Sequence, residues 1–193
     1  FSGPVGKYYT AELKVKIETD YTRAVRGGTG HAKAAGNYGA SLYPTQKAKD
    51  AGYDQVLWTD AQTHEYFEES GTMNVMFLSG NTVMTPALSD SILNGVTRSS
   101  VLQLAKDWGY DVQDRKVSVA EIVDLLKAGK LDGAFGVGTA ATIAPIRTIH
   151  HNGTDYTINP NGSASFADKV STYLDHLKRG MESDVHQWNY KVM

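Results

Sequence analysis

Lys33 stands in the stretch "RGGTGHAKAAGNYG", residues 26–39, and between Arg26 and Lys47 it is the only side chain with a permanent charge. Its neighbours are Gly, Ala, Thr and Asn with one His. A lysine amine is protonated in water, with a pKa of about 10.4, and becomes nucleophilic when burial or a nearby cation lowers that value. The free amine then condenses with an aldehyde. Small neighbours would let a flat aromatic ring come close to the backbone there. The same composition also describes a solvated lysine on a glycine-rich loop.

Three further windows carry groups of complementary chemistry. In "EESGTMNVMF", residues 68–77, two acids precede a glycine and an apolar run. A carboxylate at a strand end suits a protonated pyridine nitrogen; an ordinary solvated turn reads the same way. In "ILNGVTRSS", residues 92–100, Gly95-Val96-Thr97 opens a helical pattern. A helix N-terminus offers unpaired N–H groups and a favourable dipole to a phosphate. Thr97 adds a hydroxyl there, or caps the helix. In "FGVGTAATIAP", residues 135–145, Gly138-Thr139-Ala140 offers backbone donors to an anion, or turns the chain between strands.

Other chemistries lack their residues. "GGTGHAK" has neither the third glycine of a dinucleotide fingerprint nor the spacing and Lys-Ser/Thr ending of a P-loop. Cysteine is absent, which removes disulfides, thiolate metal sites and thiol nucleophiles. His150 and His151 would face opposite sides of a strand and cannot easily share a metal. His31, near Lys33, has no role that spacing assigns.

The elements that must position these groups are mixed. Leu13, Val15 and Ile17 alternate, which predicts a half-buried strand over 8–17. Residues 39–51 read as a helix with Leu42, Ala48 and Ala51 inward, Pro44 near its start and Gly52 at its stop. "DQVLWTD" is a short buried strand, and "MNVMFLSGNTVMTP" a hairpin turning at Ser79-Gly80-Asn81. Residues 97–108 place Val101, Leu102, Leu104, Ala105 and Trp108 on one helix face. Ser118 with Glu121 forms a capping box, Val117 and Ile122 a hydrophobic staple, and Gly129 ends that helix. "LDGAFGV" and "TIAPIRTIHH" are strands, and Asn152-Gly153 turns the chain into "TDYTINP". Ser165 and Asp168 cap a last helix with Phe166, Val170, Leu174 and Leu177 inward. Hairpins among the strands rule out an all-parallel sheet and argue against a doubly wound fold.

The totals fit one large domain of 193 residues, 41% hydrophobic, with a formal net charge of −2. That charge gives no footprint for nucleic acid, and no apolar run reaches the length of a membrane span. No secretion signal opens the chain, and the Asn152 and Asn161 glycosylation patterns read as turns. Phe1 in place of a starting Met suggests a piece of a longer chain.

Taken in order, "YTRAVRGGTGHAKAAGNYGASLY", "QVLWTD", "EESGTMNVMF", "ILNGVTR" and "FGVGTAATIAP" resemble the fold-type IV, pyridoxal-phosphate-dependent aminotransferases. Within them, the glutamate followed by GTMN is similar to the branched-chain amino-acid aminotransferases. The resemblance implies an α+β pseudo-barrel, the D-amino-acid-aminotransferase-like large domain of mixed strands flanked by helices. It spans residues 1–193, with the family's N-terminal small domain absent. It implies pyridoxal 5'-phosphate as cofactor. Lys33 matches the lysine that holds it covalently and shuttles the proton, and Tyr38 the tyrosine at its phenolic oxygen, near the substrate carboxylate. Glu69 matches the acid at the pyridine nitrogen. Val96, Thr97 and Thr139 match donors to the phosphate, Thr72 and Ala140 line the substrate carboxylate, and Arg23 matches an arginine beside the cofactor.

The implied reaction is transamination of leucine, isoleucine and valine with 2-oxoglutarate, in a cytoplasmic homodimer of biosynthetic role, without nucleic-acid or membrane partners. The rivals are a D-amino-acid aminotransferase and a non-enzymatic anion-binding domain. Asn94 stands where the family usually has proline, which implies a looser turn with phosphate binding retained. The redox cysteine pair of some animal members would fall at Ala141 and Ala144. A chain lacking the small domain would bind cofactor weakly and turn over little.

Overall fold

The computed structural model describes residues 12–140, 142–158 and 166–190. Among them, nine strands form one mixed sheet that closes on itself. Strand β1 (Leu13–Ile17) lies between β2 (Gln55–Thr59) and β8 (Thr142–His151), parallel to both. Strand β3 (Phe67–Ser70) runs antiparallel to β2, and β7 (Gly133–Gly138) antiparallel to β8. Strand β4 (Met73–Ser79) pairs with both β7 and β3, and the β3–β4 pairing shuts the barrel. Strands β5 (Thr82–Pro86) and β6 (Asp111–Arg115) extend the sheet beyond β4, and β9 (Thr154–Thr157) edges β8. This is the α+β pseudo-barrel that the resemblance implied.

Alternation decides what fills it. Leu13, Val15 and Ile17 point inward with Leu57, Phe67, Val75, Phe77, Ala144, Ile146 and Ile149. The outer face of β4 and β7 packs on the apolar stripes of α2 (Val96–Asp107) and α4 (Phe166–Lys178), where Val101, Leu104, Val170 and Leu174 are buried. Helix α3 (Val119–Lys127) starts as foreseen, with the Glu121 N–H donating to Ser118 Oγ at 3.1 Å. The reciprocal half of the box is missing, because the Glu121 carboxylate takes both ends of the Arg115 guanidinium instead. Asn152 and Gly153 both adopt positive φ, 47° and 78°, as a two-residue hairpin of type I′ requires.

Several expectations need correction. Helix α1 spans Ala35–Asp50, so it begins earlier than residue 39 and holds Pro44 in its interior. Pro44 costs the Ala40 carbonyl its partner, but Ala40 lies on the exposed side, where water can substitute. Leu42, expected inward, is 70% exposed; the buried face of α1 is Asn37, Ser41, Pro44 and Ala48. Ala48 packs with Val56 and Trp58. Gly95, not Thr97, is the N-cap of α2. Strands β3 and β6 had no clear signal, since one carries two acids and the other is polar and partly exposed. Ala141, Ser165, the Asn161 turn and the start of the first predicted strand lie outside the described residues. No described helix is long and apolar enough to cross a membrane.

Phe77 is fully buried in the barrel and its ring centroid lies 5.1 Å from that of Phe67. Phe77→Ala is expected to destabilise the fold by about 3–5 kcal/mol. Leu42→Ala should stay within about 0.5 kcal/mol. Urea unfolding of the two variants measures both, and equal losses would contradict the burial described.

Candidate active site

The loop leaving β1 is built around polar groups that its own backbone satisfies. Glu18 is buried and its Oε1 accepts the N–H groups of Thr19, Asp20 and Tyr21 at 2.9–3.3 Å. The chain then passes Arg23, also buried, whose guanidinium donates to the carbonyls of Ser91 and, at 3.4 Å, Gly30. Gly30 has no room for a side chain: an added Cβ would lie 2.4 Å from Ser91 Cα. Asn37, in the first turn of α1, reaches back to donate to the carbonyls of Thr29 and Ala32, at 2.8 and 2.9 Å. Its Oδ1 accepts from the Thr29 hydroxyl at 3.0 Å. Lys33 follows this cinched loop directly. Packing accounts for the smallness of only some of its neighbours. Gly30 is small because the 89–95 segment presses on it, whereas Gly36 and Gly39 face open space.

The acid comes from β3. Glu69 is 3% exposed, with Oε2 3.3 Å from Arg23 Nε and Oε1 accepting the Leu93 N–H at 2.8 Å. The Arg23 Nε–H is not aimed at that oxygen, so the pairing is one of charge proximity more than of a hydrogen bond. Burial pushes the Glu69 carboxyl up to about 7; Arg23 and the Leu93 N–H oppose that rise, and Glu68 adds to it. Glu68, on the other face of β3, is also pushed up to about 7 by burial, opposed by the Ser91 hydroxyl and Arg23. Two adjacent buried carboxyls thus share one guanidinium.

The third component is the turn into α2. Among the described residues no side-chain hydrogen bond caps this helix, whose first N–H groups are those of Val96 and Thr97. The turn that Asn94 was expected to loosen is held from outside: the Asn74 amide donates to the Leu93 carbonyl at 2.8 Å, and the Gly95 N–H reaches the same oxygen at 2.9 Å.

These pieces converge. Lys33, Glu69, Thr72 and Leu93 line a narrow hollow that continues to Arg23, Asn37, Tyr38 and Ser41. The same four line an adjoining cleft of about 340 Å³ running to Asn74, Val96, Thr97 and Thr139, with His31 at its edge. Ala140 follows Thr139 but does not line either. Lys33 is exposed at this opening, as are Tyr38, Thr72, Val96 and Thr139. A cleft of about 380 Å³ on the Glu68 side of β3 contains none of the predicted residues. His150 is engaged by Asp155 at 2.6 Å, and no three ligating side chains group for a metal among the described residues. Sequence reasoning missed Asn37, Asn74, Leu93 and Ser91. The first two sit in the quoted "GNYG" and "GTMN" windows, but their work is done through backbone carbonyls, which leave no trace in a sequence.

The sequence model of the family described as "Amino-transferase class IV" matches residues 6–149. A probable branched-chain-amino-acid aminotransferase of Staphylococcus epidermidis is 42% identical over 193 residues, which cover 98% of this chain and 54% of the relative. Branched-chain-amino-acid aminotransferase 2 of Bacillus subtilis is 40% identical, with 98% and 53% covered. The chain thus spans about half the length of these curated relatives. Among solved structures, a branched-chain aminotransferase from Thermoproteus uzoniensis with norvaline superposes with a TM-score of 0.79 at 28% identity, over 96% of this chain and 58% of that one. A T.th. branched-chain amino acid aminotransferase complexed with N-(5'-phosphopyridoxyl)-L-glutamate gives 0.75 at 25% identity, over 92% and 55%.

Two outcomes are expected from this geometry. Gly36→Ala should stabilise α1 by roughly 0.5–1 kcal/mol, since it meets open space inside a helix, while Gly30→Ala should destabilise by more than it gains. Thermal denaturation separates them, and two equal shifts would refute the contact at Ser91. The second concerns pH. Carboxyls whose folded pKa exceeds the unfolded value of about 4.3 bind protons more tightly when folded. Their contribution is present below that value and is lost as pH rises through about 7. Between pH 5 and pH 8 the chain should lose on the order of 3 kcal/mol, and Glu68→Gln should flatten the slope. Urea midpoints across that range test it; a rise in stability with pH would overturn it.

Proposed function

This chain belongs to the class IV aminotransferases, and on that basis we propose that it is the large, cofactor-holding domain of a branched-chain amino-acid aminotransferase. The reaction we infer exchanges an amino group between leucine, isoleucine or valine and 2-oxoglutarate, with pyridoxal 5'-phosphate as cofactor. The observation that carries this reading is that one cleft is lined by Lys33, by Glu69 and by the start of α2. An amine, an acid and a set of backbone donors are the three groups that an aldehyde, a pyridine nitrogen and a phosphate call for. The similarity to branched-chain aminotransferases, and the phosphopyridoxyl compound in the T.th. structure, support the same choice.

The residues present fit the cofactor. When bound, pyridoxal phosphate supplies an electron-withdrawing ring that stabilises negative charge at the substrate's α-carbon. Everything else falls to the chain. Lys33 Nζ would hold the cofactor's aldehyde carbon and would serve as acid and base for the proton at the substrate's α-carbon, a role worth about 10²–10⁴-fold in rate. Glu69 would face the ring nitrogen and hold a proton there. Beside a cationic ring its carboxyl would carry its charge, and Arg23, 3.3 Å away, would help hold that charge in place. Val96 and Thr97 would present their N–H groups, and Thr97 and Thr139 their hydroxyls, to the phosphate. Tyr38 would reach the phenolic oxygen. Thr72 and Ala140 belong in this reading to the substrate carboxylate, Thr72 with support from the shared cleft. The exposure of Lys33 fits a site whose remaining walls come from the other half of the polypeptide and from a second subunit, in a cytoplasmic homodimer.

The test uses the full-length protein. Treatment with pyridoxal phosphate and borohydride is expected to leave a pyridoxyl adduct on Lys33, read by peptide mass, and Lys33→Ala should abolish both adduct and transamination of L-leucine. Glu69→Ala should reduce kcat by at least about 10²-fold while the adduct still forms. An adduct elsewhere, or faster turnover of D- than of L-leucine, would refute the proposal.

A further inference from the structure

We propose that Asn74 is a positioning residue that ties the anion-binding turn to the ring acid, acting through Leu93. This deepens the reading above and rests on it where the cofactor is concerned. Asn74 and Glu69 are direct partners across the β3–β4 pairing that closes the barrel. Both are buried and both reach the same residue of the facing segment. Glu69 Oε1 accepts the Leu93 N–H, and the Asn74 amide donates to the Leu93 carbonyl, each at 2.8 Å. Leu93 is therefore gripped at both ends by one cross-strand pair.

The grip extends forward along the chain. The Leu93 carbonyl also accepts the Gly95 N–H, which closes the turn, and Gly95 is the N-cap of α2. With its nitrogen turned to Leu93, Asn74 turns its Oδ1 toward Gly95, 2.3 Å from where a Cβ on that residue would sit. Gly95 is thus glycine for a steric reason: the space of its missing side chain is held by Asn74. The backbone φ of −72° at Gly95 is open to any residue, so conformation does not explain it. A carboxylate held by an N–H, and a helix N-terminus fixed two residues later, are therefore set by one amide side chain. The turn is held from β4, through the Asn74 amide on the Leu93 carbonyl.

Loss of the amide should have two separable effects. The turn should present its N–H groups less well to a phosphate, and the Leu93 N–H should drift from Glu69, which then holds its proton more tightly. Asn74→Ala in the full-length protein is expected to weaken pyridoxal phosphate about tenfold, the size of one lost hydrogen bond. In the cofactor-free protein it should raise the Glu69 carboxyl midpoint, followed by difference infrared spectroscopy with Glu69→Gln as the assignment. Asn74→Ser, which keeps a donor, should recover part of both effects. Gly95→Ala should mimic Asn74→Ala, and the double variant should be no worse than either single one, because Asn74→Ala vacates the space that the new methyl needs.

The outcomes divide cleanly. If the wild-type protein binds no pyridoxal phosphate, the cofactor reading fails, while the infrared shift still tests the tie between Asn74 and Glu69. If the cofactor binds, but Asn74→Ala leaves affinity and midpoint unchanged, or if the Gly95 and Asn74 effects simply add, the positioning role is wrong. Should Asn74→Ala fail to fold, the Ser and Gly95 variants carry the same comparison.

Discussion

The constraint on which the rest depends is the short antiparallel pairing of β3 and β4 across Gly71. It is the seam of the barrel, and it pairs only two residues on each side. Gly71 takes a φ of 57° there, and a Cβ on it would meet the Gln55 side chain at 2.5 Å. The seam buries polar residues: Glu69 faces Asn74, and Ser70 faces the apolar Met73. Burying a carboxyl at such a place is costly unless partners are at hand. The partners come from two long loops, Arg23 from one and Leu93 from the other. The seam therefore does more than close a sheet; it draws in the loops that carry Arg23 and Leu93.

The electrostatic character of the centre follows. Two neighbouring carboxyls with one guanidinium between them cannot all be satisfied as ions. Glu68 is bonded at one oxygen by the Ser91 hydroxyl and has its other oxygen without a hydrogen-bond partner among the described residues. The same Ser91 offers its carbonyl to Arg23. The segment 89–95 thus meets Arg23, Glu68 and Glu69 with polar atoms of Ser91 and Leu93. A cationic ring supplied from outside would settle the balance in favour of charged Glu69.

What could be read from the sequence alone divides along physical lines. Periodicity reports burial, so β1, β4, β5, β8 and the inward faces of α2 and α4 were legible. The turn at Asn152-Gly153 was legible because only a few residue pairs accept its backbone angles. Strand β3 was not, since its hydrogen bonds are tertiary and its side chains are acids. Helix α1 misled for the opposite reason: Leu42 is apolar yet faces outward, and Pro44 suggested a start where the helix was already under way. For the candidate site, the charged and hydroxyl residues proposed were named from the motifs. Asn37, Asn74 and Leu93 were not, because they act by holding main-chain groups, and a side chain's type does not reveal which peptide it will grip.

The position of β1 has a bearing on how this molecule comes into being. It precedes every other described strand, yet one of its two neighbours is β8, far along the chain. Contacts so remote in sequence slow folding, since most of the chain must be ordered before they form. During synthesis, β1 leaves the ribosome with one edge unsatisfied and waits for nearly the whole barrel to follow. An open edge of alternating apolar residues is a template for wrong pairing, so the interval before β8 arrives is when the chain is most exposed to misassembly.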